Sequence, residues 1–182
     1  MRIIAGEYRG RRIDIPQSCS IRPTSDRVRE AIFNILYGRI SGCRVLDLFS
    51  GSGCIGLEAL SRGATYVVFN DRDAAMIHRI EKILKRFGTE RQRYALYTGD
   101  WQNTLVRLTG QRFDFIYLDP PYQDALYTQL LQALPLCLKQ GGILAVEHPA
   151  DMPLIAETPL RQTDVRCYGS VAVSLYSKEE AL

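Results

Sequence analysis

The amino-acid sequence predicts an α/β protein with a mostly parallel, seven-stranded sheet that ends in an antiparallel hairpin. Three observations support this prediction. From about residue 44 onward, short β-rich runs alternate with longer runs whose apolar residues recur at helical spacing. A glycine-rich loop follows the first strand-like run, and only two residues separate the last two runs. Such alternation is typical of right-handed β-α-β units, in which helices cover both faces of a parallel sheet.

Length and composition fit one globular domain. The chain has 182 residues, of which 46% are hydrophobic and 24% charged, unlike disordered, collagen-like or coiled-coil chains. We expect a single domain over residues 1–182, with a basic arm and a helix in residues 1–43 and the sheet in residues 44–182. No apolar run approaches the roughly 18 residues that cross a bilayer, and no secretory leader is recognisable. We therefore expect no membrane partner and a cytoplasmic location.

Five strand-like runs form the predicted parallel part of the sheet. They cover residues 44–48, 66–69, 94–97, 113–118 and 143–146. Three helices are predicted between them. The first starts within residues 55–60, the second runs from Met76 to Phe87, where Gly88 can close it, and the third runs from Leu126 to Leu138. At the end of the chain, residues 163–168 and 171–177 are strand-like, and their two-residue connection can join only antiparallel strands.

The N-terminal segment is predicted to hold one helix and most of the positive charge. Thr24 or Ser25 can cap a helix whose apolar stripe runs from Val28 to Leu36. Residues 1–44 contain nine arginines and four acidic residues, whereas the remainder is slightly acidic. The planar guanidinium suits bidentate phosphate contacts, which favours a polyanionic partner. A solvated arm that keeps the protein soluble explains the charge equally well.

The cysteines and histidines indicate no metal site. The five cysteines are scattered and include no Cys-x-x-Cys pair, so that neither a disulfide framework nor a zinc ribbon is predicted. The two histidines, His78 and His148, are too distant in the sequence to complete a zinc site with them. We expect reduced cysteines and no metal.

A glycine-rich loop after the first strand points to a nucleoside-containing cofactor. Gly51, Gly53 and Gly56 form a G-x-G-x-x-G pattern, and Asp71 follows Gly51 by 20 residues at the end of the second strand. The glycines allow a tight turn and close approach of a ligand, and the carboxylate can accept both hydroxyl hydrogens of a ribose. The alternative is a loop that merely suits a strand-to-helix turn.

Carboxylates near the loop favour S-adenosylmethionine over a dinucleotide. Asp47 precedes the loop, where it would repel a diphosphate and attract the sulfonium or ammonium group of this methyl donor. Asp100, after the third strand, can accept a hydrogen bond from the adenine amino group, and Trp101 can pack on the ring. An N-cap role explains the position of Asp100 equally well.

The tetrapeptide Asp119-Pro120-Pro121-Tyr122 is the strongest functional signal in the chain. It follows the fourth strand, at the edge of the sheet where ligands collect in open α/β folds. An exocyclic amino group on a base is a poor nucleophile because its lone pair is delocalised into the ring. Asp119 and the Pro120 carbonyl can accept its two N–H bonds, and Tyr122 can stack on the base. The nitrogen would then be held in line with the methyl group.

Over nearly its whole length, the chain resembles the RsmD-type 16S rRNA (guanine-N2)-methyltransferases. The matching segments are residues 3–12, 22–36, 46–53 and 56–64, together with the Asp-Pro-Pro-Tyr site. Tetrapeptides of this type occur across amino-methyltransferases of DNA, RNA and protein, so that they identify only the reaction class. The Arg22-Pro23-Thr24 segment is the family-specific part.

The resemblance implies a Rossmann-like class I methyltransferase fold and S-adenosyl-L-methionine as donor. It also implies that the acceptor is one guanine of 16S rRNA in the assembling small ribosomal subunit. Donor binding is then assigned to Asp47, Gly51, Gly53, Asp71 and Asp100, and methyl transfer to Asp119, Pro120 and Tyr122. The family often has Glu where Asp71 stands, so that a shorter acid must reach the ribose.

Candidate contacts to the RNA backbone are five arginines of the N-terminal segment: Arg9, Arg11, Arg12, Arg22 and Arg27. Methylation of DNA adenine or protein glutamine is the alternative among enzymes, because the same acceptor pair suits any planar amino or amide nitrogen. A non-catalytic RNA-binding assembly factor and an NAD-binding oxidoreductase are alternatives from other classes. Neither of these explains the tetrapeptide.

Overall fold

The computed structural model describes residues 1–14, 26–154 and 158–178. Its strands are β1 (Arg44–Asp47), β2 (Tyr66–Asp71), β3 (Tyr94–Thr98), β4 (Phe113–Leu118), β5 (Leu138–Pro149), β6 (Leu160–Tyr168) and β7 (Val171–Lys178). Its α-helices are α1 (Asp26–Ile35), α2 (Cys54–Ser61), α3 (Ala74–Phe87), α4 (Trp101–Arg107) and α5 (Asp124–Ala133). Short 3-10 turns lie at Arg91–Arg93 and Leu134–Leu136.

All seven strands belong to one sheet, in the order β3-β2-β1-β4-β5-β7-β6. The first five strands in this order are parallel to one another, and β7 pairs antiparallel with both β5 and β6. The predicted mostly parallel sheet with a C-terminal hairpin is therefore confirmed. The chain order reverses between β1 and β4, and in open α/β sheets the crevice at such a reversal is where ligands bind.

Alternating residues of the central strands pack into two hydrophobic cores. Phe115 and Tyr117 of β4 face the core formed with α1, α2 and α3, whereas Ile116 and Leu118 face the core formed with α5. A buried strand with apolar residues on both faces is the pattern expected of a parallel sheet covered by helices on both sides.

The N-terminal residues 1–14 pack on α2. Glu58, fully buried in α2, accepts hydrogen bonds from the backbone N–H groups of Ile4 (2.8 Å) and Ala5 (3.0 Å). The Ser61 hydroxyl oxygen accepts another from the N–H of Tyr8 at 2.9 Å. Tyr8 is itself buried in the same core as α1 and α3. The basic arm is therefore anchored to the sheet domain through backbone donors.

Three details differ from the sequence prediction. The predicted end of the last helix at Leu138 is wrong, because α5 stops at Ala133. Pro135 lies in the 3-10 turn that follows, and Leu138 begins β5. The strand β5 is much longer than the predicted 143–146, and the short helix α4 was not predicted. The predicted capping residues of α1, Thr24 and Ser25, lie outside the described residues. None of the helices in the described ranges is long and apolar enough to span a membrane.

Candidate active site

A cavity of about 820 Å³ lies at the carboxyl ends of β1, β2 and β4. It brings together most of the predicted donor-binding and methyl-transfer residues: Asp47, Gly51, Asp71, Asp100, Trp101, Asp119, Pro120 and Tyr122. Gly53 is the one residue of those two predicted sets that does not line it. Ligand cavities of about 300–1,000 Å³ are usual for small molecules and cofactors. Residues distant in the sequence thus meet in one site of suitable size.

The glycine loop is shaped by its positive φ angles and by close packing. Gly51 has φ 50° and Gly53 has φ 75°, a region that favours glycine. A Cβ atom on Gly53 would lie 2.7 Å from Ile80 of α3, and one on Gly56 would lie 2.2 Å from the ring of Phe69. Gly53 and Gly56 therefore allow α2 to pack against its neighbours, whereas Gly51 faces the cavity.

Asp47 lies at the end of β1, where its burial is the main influence on its pKa. The residue is 1% exposed, and its Oδ2 accepts a hydrogen bond of 3.0 Å from the N–H of Gly56 in the first turn of α2. Burial raises the pKa of this carboxyl to about 7, the Gly56 hydrogen bond opposes the rise, and the nearby charge of Asp71 adds to it. A cation placed in the cavity would favour the ionised form.

Asp71 connects the glycine loop to the start of α3. Its Oδ2 accepts a hydrogen bond from the N–H of Gly51 at 2.7 Å, and its Oδ1 accepts one from the N–H of Asp73 at 2.9 Å. A carboxylate offers about four acceptor positions, so that these two bonds leave capacity for further donors. Asp71 is therefore positioned both to hold the loop and to accept from a ligand.

Asp100 and Trp101 stand where α4 begins. Asp100 occupies the N-cap position, but its side chain makes no capping hydrogen bond to the described backbone. Its Oδ1 instead contacts Nε of Arg72 at 3.0 Å, with both side chains more than half exposed. Such an exposed pair is weak, so that little holds the carboxylate away from a ligand. The alternative of Asp100 as a side-chain cap finds no support in this geometry.

Asp119 shares its environment with a second carboxylate, Glu147. Burial, and after it the negative charges of Glu147 and Asp47, together raise the pKa of Asp119 to about 8. Glu147 is 6% exposed and lines the same cavity. Its Oε2 accepts a hydrogen bond of 2.5 Å from the Tyr117 hydroxyl, and its backbone carbonyl accepts one of 3.2 Å from Tyr127.

Sequence reasoning missed Glu147, although a signal was present. The residue follows the predicted fifth strand directly, at the same edge of the sheet as the tetrapeptide. In the parallel pairing of β4 with β5, Leu118 is opposite Val146, which places the next residues, Asp119 and Glu147, side by side. Extending the strand-end rule to every strand would have identified it.

The wall of the cavity includes residues from both ends of the chain. Tyr122 is 51% exposed, whereas Pro120 is buried. Val28 of α1 and Tyr168 and Val171, at the turn of the C-terminal hairpin, also line the cavity. The N-terminal segment and the hairpin therefore complete the wall of the site.

The predicted RNA-contacting arginines differ in their surroundings. Arg9, Arg11, Arg12 and Arg27 are all exposed, but Arg11 also makes contacts within the protein. The guanidinium of Arg11 donates to the carbonyl of Phe87 at 2.8 Å and lies 5.2 Å from the ring centre of Tyr8. Arg11 therefore has a structural role, and Arg22 lies outside the described residues.

A basic surface on α3 was not predicted. His78, Arg79, Lys82 and Arg86 line a second cavity of about 460 Å³ together with Asp14 of the arm. Arg86 bridges the two segments, donating to the Asp14 carboxylate and to the Arg12 carbonyl at 2.6 Å each. Arg86 therefore ties the arm to the basic residues of α3. Within the described ranges, no group of His, Cys, Asp and Glu side chains is arranged to hold a metal ion.

A comparison with known families identifies the chain. The family model described as Conserved hypothetical protein 95 matches residues 1–177. The chain belongs to this family. A curated relative from Haemophilus influenzae, named Ribosomal RNA small subunit methyltransferase D, is 34% identical and covers 97% of this chain and 93% of its own length. A relative from Bacillus subtilis, named as a candidate rRNA methyltransferase, is 36% identical over 98% of this chain and 99% of its own length. The resemblance to the RsmD-type proteins is therefore confirmed.

Solved structures of related proteins have the same fold as this chain. A candidate methyltransferase from Escherichia coli superposes with a TM-score of 0.87 at 30% identity, over 98% of both chains. At the level of the fold alone, a candidate methyltransferase complexed with S-adenosylhomocysteine superposes with a TM-score of 0.67 at 16% identity. That match covers 82% of this chain and 48% of the other. The predicted Rossmann-like class I methyltransferase fold is confirmed.

Proposed function

We propose that this chain transfers a methyl group from S-adenosylmethionine to the exocyclic N2 of a guanine in 16S rRNA. The observation that carries the proposal is the meeting of Asp119, Pro120 and Tyr122 with the glycine loop in one cavity. The names of the relatives support ribosomal RNA as the substrate class. We further propose that residues 1–182 act as one domain, because α1 and the C-terminal hairpin both line the cavity.

The charge of the cavity suits a cationic donor. Five carboxylates line it, namely Asp47, Asp71, Asp100, Asp119 and Glu147, and Arg72 is the one basic side chain among the described lining residues. A negatively charged site attracts a sulfonium and an ammonium group and repels the pyrophosphate of a dinucleotide. This balance favours S-adenosylmethionine over NAD.

Individual residues account for the parts of the donor. Asp71 would accept from the ribose hydroxyls, because its carboxylate lies at the end of β2 beside the loop. Asp100 and Trp101 would hold the adenine from the start of α4, and Asp47 would stabilise the positive charge. When bound, this donor supplies a methyl group on a positively charged sulfur, which leaves as a neutral thioether.

Asp119 and Pro120 would prepare the acceptor nitrogen. Accepting both N–H bonds of the amino group concentrates its lone pair on the nitrogen, which then attacks the methyl carbon as the carbon–sulfur bond breaks. The positive charge passes to the nitrogen, and release of one proton restores a neutral amine. Although the pKa of Asp119 is raised to about 8 in the free protein, a positively charged donor in the cavity would favour its ionised form. The carboxylate lies where it would then receive that proton. Tyr122, half exposed at the mouth, would stack on the base.

The outer surface is suited to the RNA backbone. Exposed Arg9 and Arg12 belong to the arm, which Arg86 ties to the basic surface of α3, formed by Arg79, Lys82 and Arg86. Such surfaces bind phosphates without reading the base sequence. The target guanine would then be turned out of its stack into the cavity, at a cost of a few kcal/mol. The acidic cavity would therefore bind the donor, and the basic outer surface would bind the RNA backbone.

Methyl transfer from a labelled donor tests the proposal. The wild-type protein is incubated with bare 16S rRNA, with small ribosomal subunits from cells lacking the protein, with DNA and with total cellular protein. Label in a guanine of 16S rRNA, located by mass spectrometry, is expected. Methylation of DNA adenine or protein glutamine alone would overturn the proposal.

The variant Asp119→Ala separates catalysis from donor binding. Transfer to RNA is expected to fall by about a hundredfold or more, because the acceptor for the amino group is lost. Calorimetric binding of S-adenosylhomocysteine is expected to remain within about threefold of wild type, since Asp119 does not bind the donor in this assignment. Asp151→Ala, the same substitution at an exposed aspartate, is the matched control. Retained turnover in Asp119→Ala would contradict the assigned role.

A further inference from the structure

We propose that Glu147 is a specificity-determining residue that accepts the N1–H of the target guanine while Asp119 accepts from its 2-amino group. The inference rests on the proposed function and assigns a role to a carboxylate that the methyl-transfer chemistry leaves unused. It explains how the site would distinguish guanine from the other purine.

The sheet places the two carboxylates next to each other. Asp119 and Glu147 each follow directly the paired positions Leu118 and Val146 of two adjacent parallel strands. Both side chains line the same cavity. Glu147 is close enough to Asp119 for its charge to act on it. The cavity therefore offers two neighbouring acceptors at the reaction centre.

Two neighbouring acceptors match the edge of guanine. On its Watson–Crick edge, guanine presents N1–H and the 2-amino group as adjacent donors. Adenine presents a lone pair at N1, which a carboxylate would repel. Enzymes that turn a base out of its stack read it by hydrogen bonds to this edge. A site built to accept a particular N–H strongly rejects an analogue that lacks it, because the buried acceptor is then left without a donor.

Glu147 is held in one orientation for this role. Its Oε2 accepts from the Tyr117 hydroxyl at 2.5 Å, which orients the carboxylate, and Tyr127 holds the main chain beneath it by donating to the Glu147 carbonyl at 3.2 Å. A carboxylate has about four acceptor positions, so that the Tyr117 bond is compatible with a further donor from the ligand. A side chain fixed in this way accepts a ligand donor without first losing rotational freedom.

The electrostatic setting also argues for a ligand. Two carboxylates close together in a largely buried site repel each other and lose solvation, which costs stability. A glutamine in place of Glu147 would still accept from Tyr117 without this repulsion. The N–H donors of guanine and a positively charged methyl donor would offset this repulsion.

A base analogue provides the test. The methylated guanine is first located with the wild-type enzyme, and substrates are then prepared with guanine or 2-aminopurine at that position. The analogue keeps the 2-amino group but has a lone pair at N1 instead of N1–H. Wild-type enzyme is expected to prefer guanine by about tenfold or more in kcat/KM. In Glu147→Gln the preference is expected to vanish or reverse, because the amide can donate to N1 of the analogue.

Controls separate specificity from folding. Glu90→Gln, an exposed change, is expected to keep the wild-type preference. Tyr117→Phe keeps the Glu147 carboxylate but removes the hydroxyl that orients it. We expect this variant to lower the ratio of kcat/KM for guanine to that for 2-aminopurine. This second variant carries the test if Glu147→Gln does not fold.

The outcomes are distinct. Equal use of guanine and 2-aminopurine by the wild type, or equal losses on both substrates in Glu147→Gln, would overturn the role of Glu147. Absence of guanine methylation by the wild type would reject the proposed function, and this inference with it.

Discussion

The backbone N–H of Gly51 donates a hydrogen bond of 2.7 Å to Asp71, which lies 20 residues later at the end of β2. The other oxygen of the same carboxylate accepts from the N–H of Asp73, where α3 begins. One side chain therefore fixes the loop after β1 relative to the turn after β2. Because Asp71 also lines the cavity, loop geometry and ligand binding are coupled.

Replacing Asp71 with Asn is expected to weaken the binding of S-adenosylhomocysteine by about ten- to a hundredfold, since a charge-assisted hydrogen bond contributes about 1.5–3 kcal/mol. The amide keeps one acceptor oxygen, but it loses the charge and the second acceptor. Isothermal titration calorimetry measures the effect. The control is Asp164→Asn, an aspartate of β6 paired with Arg166. Unchanged affinity in Asp71→Asn would show that the carboxylate does not contact the donor.

Replacing Gly56 with Ala is expected to destabilise the fold by about 1–3 kcal/mol, because the new Cβ overlaps the ring of Phe69 and overpacking costs this much. Urea unfolding gives the free energy. In the double variant Gly56→Ala/Phe69→Leu, the shorter side chain gives the methyl group room, so that the two losses are expected to be less than additive. Strictly additive losses would mean that the clash is absent.

Glu58 is expected to control the docking of the N-terminal arm. Replacing it with Ala leaves the N–H groups of Ile4 and Ala5 and the guanidinium of Arg62 without their acceptor. Breaking such a buried network costs about 3–5 kcal/mol. Unfolding in urea is expected to show this loss, and limited trypsin digestion is expected to cut within the arm faster. Glu7→Gln, which breaks only the exposed pair with Arg93, is expected to change neither readout by much.

Asp47 is expected to make the stability of the free protein depend on pH. Its pKa rises from 3.8 to about 7 on folding. Folding therefore takes up a proton between these values, and the resulting stabilisation, complete below the unfolded pKa, is lost as the pH rises through the folded one.

Asp47→Asn removes this titration. Between about pH 4 and about pH 8, the free energy of unfolding of this variant is expected to fall less than that of wild type. The wild-type protein is expected to lose at most about 4 kcal/mol more than the variant over this range. Urea unfolding across this range measures it, with exposed Asp151→Asn as control. Binding of the cationic donor is expected to weaken in the same variant. Parallel pH profiles for Asp47→Asn and wild type would contradict the assignment.

The arm arginines are expected to separate into RNA-binding and structural residues. Arg9→Ala and Arg12→Ala are each expected to weaken RNA binding and to reduce the slope of log K against log salt by about one, because each removes one phosphate contact. Arg11→Ala is expected to lower the free energy of unfolding, since it removes the bond to Phe87 and the stacking on Tyr8. Filter binding at several salt concentrations and urea unfolding measure the two effects. An unchanged salt slope in Arg9→Ala and Arg12→Ala would place the RNA elsewhere.

Local patterns were enough to predict the order of the elements and the main signal of the site. The strand β4 begins and ends at the predicted residues, and Gly88 closes α3 with φ 72°. These features depend on neighbours in the sequence: side-chain alternation, helical spacing and the freedom of glycine. The predicted end of α5 was wrong. Leu138 continues the helical spacing of apolar residues, but the chain turns at Pro135 and enters β5.

The sequence by itself determined the alternating fold, the glycine loop and the Asp-Pro-Pro-Tyr tetrapeptide. Only the tertiary structure decided which distant residues share the site. The register of β4 with β5 places Glu147 beside Asp119, and the burial of Glu58 holds the arm in place. The reason is physical: local conformation follows from steric preferences of adjacent residues, whereas contacts across the sheet follow from strand pairing and shared burial, which no short segment encodes alone.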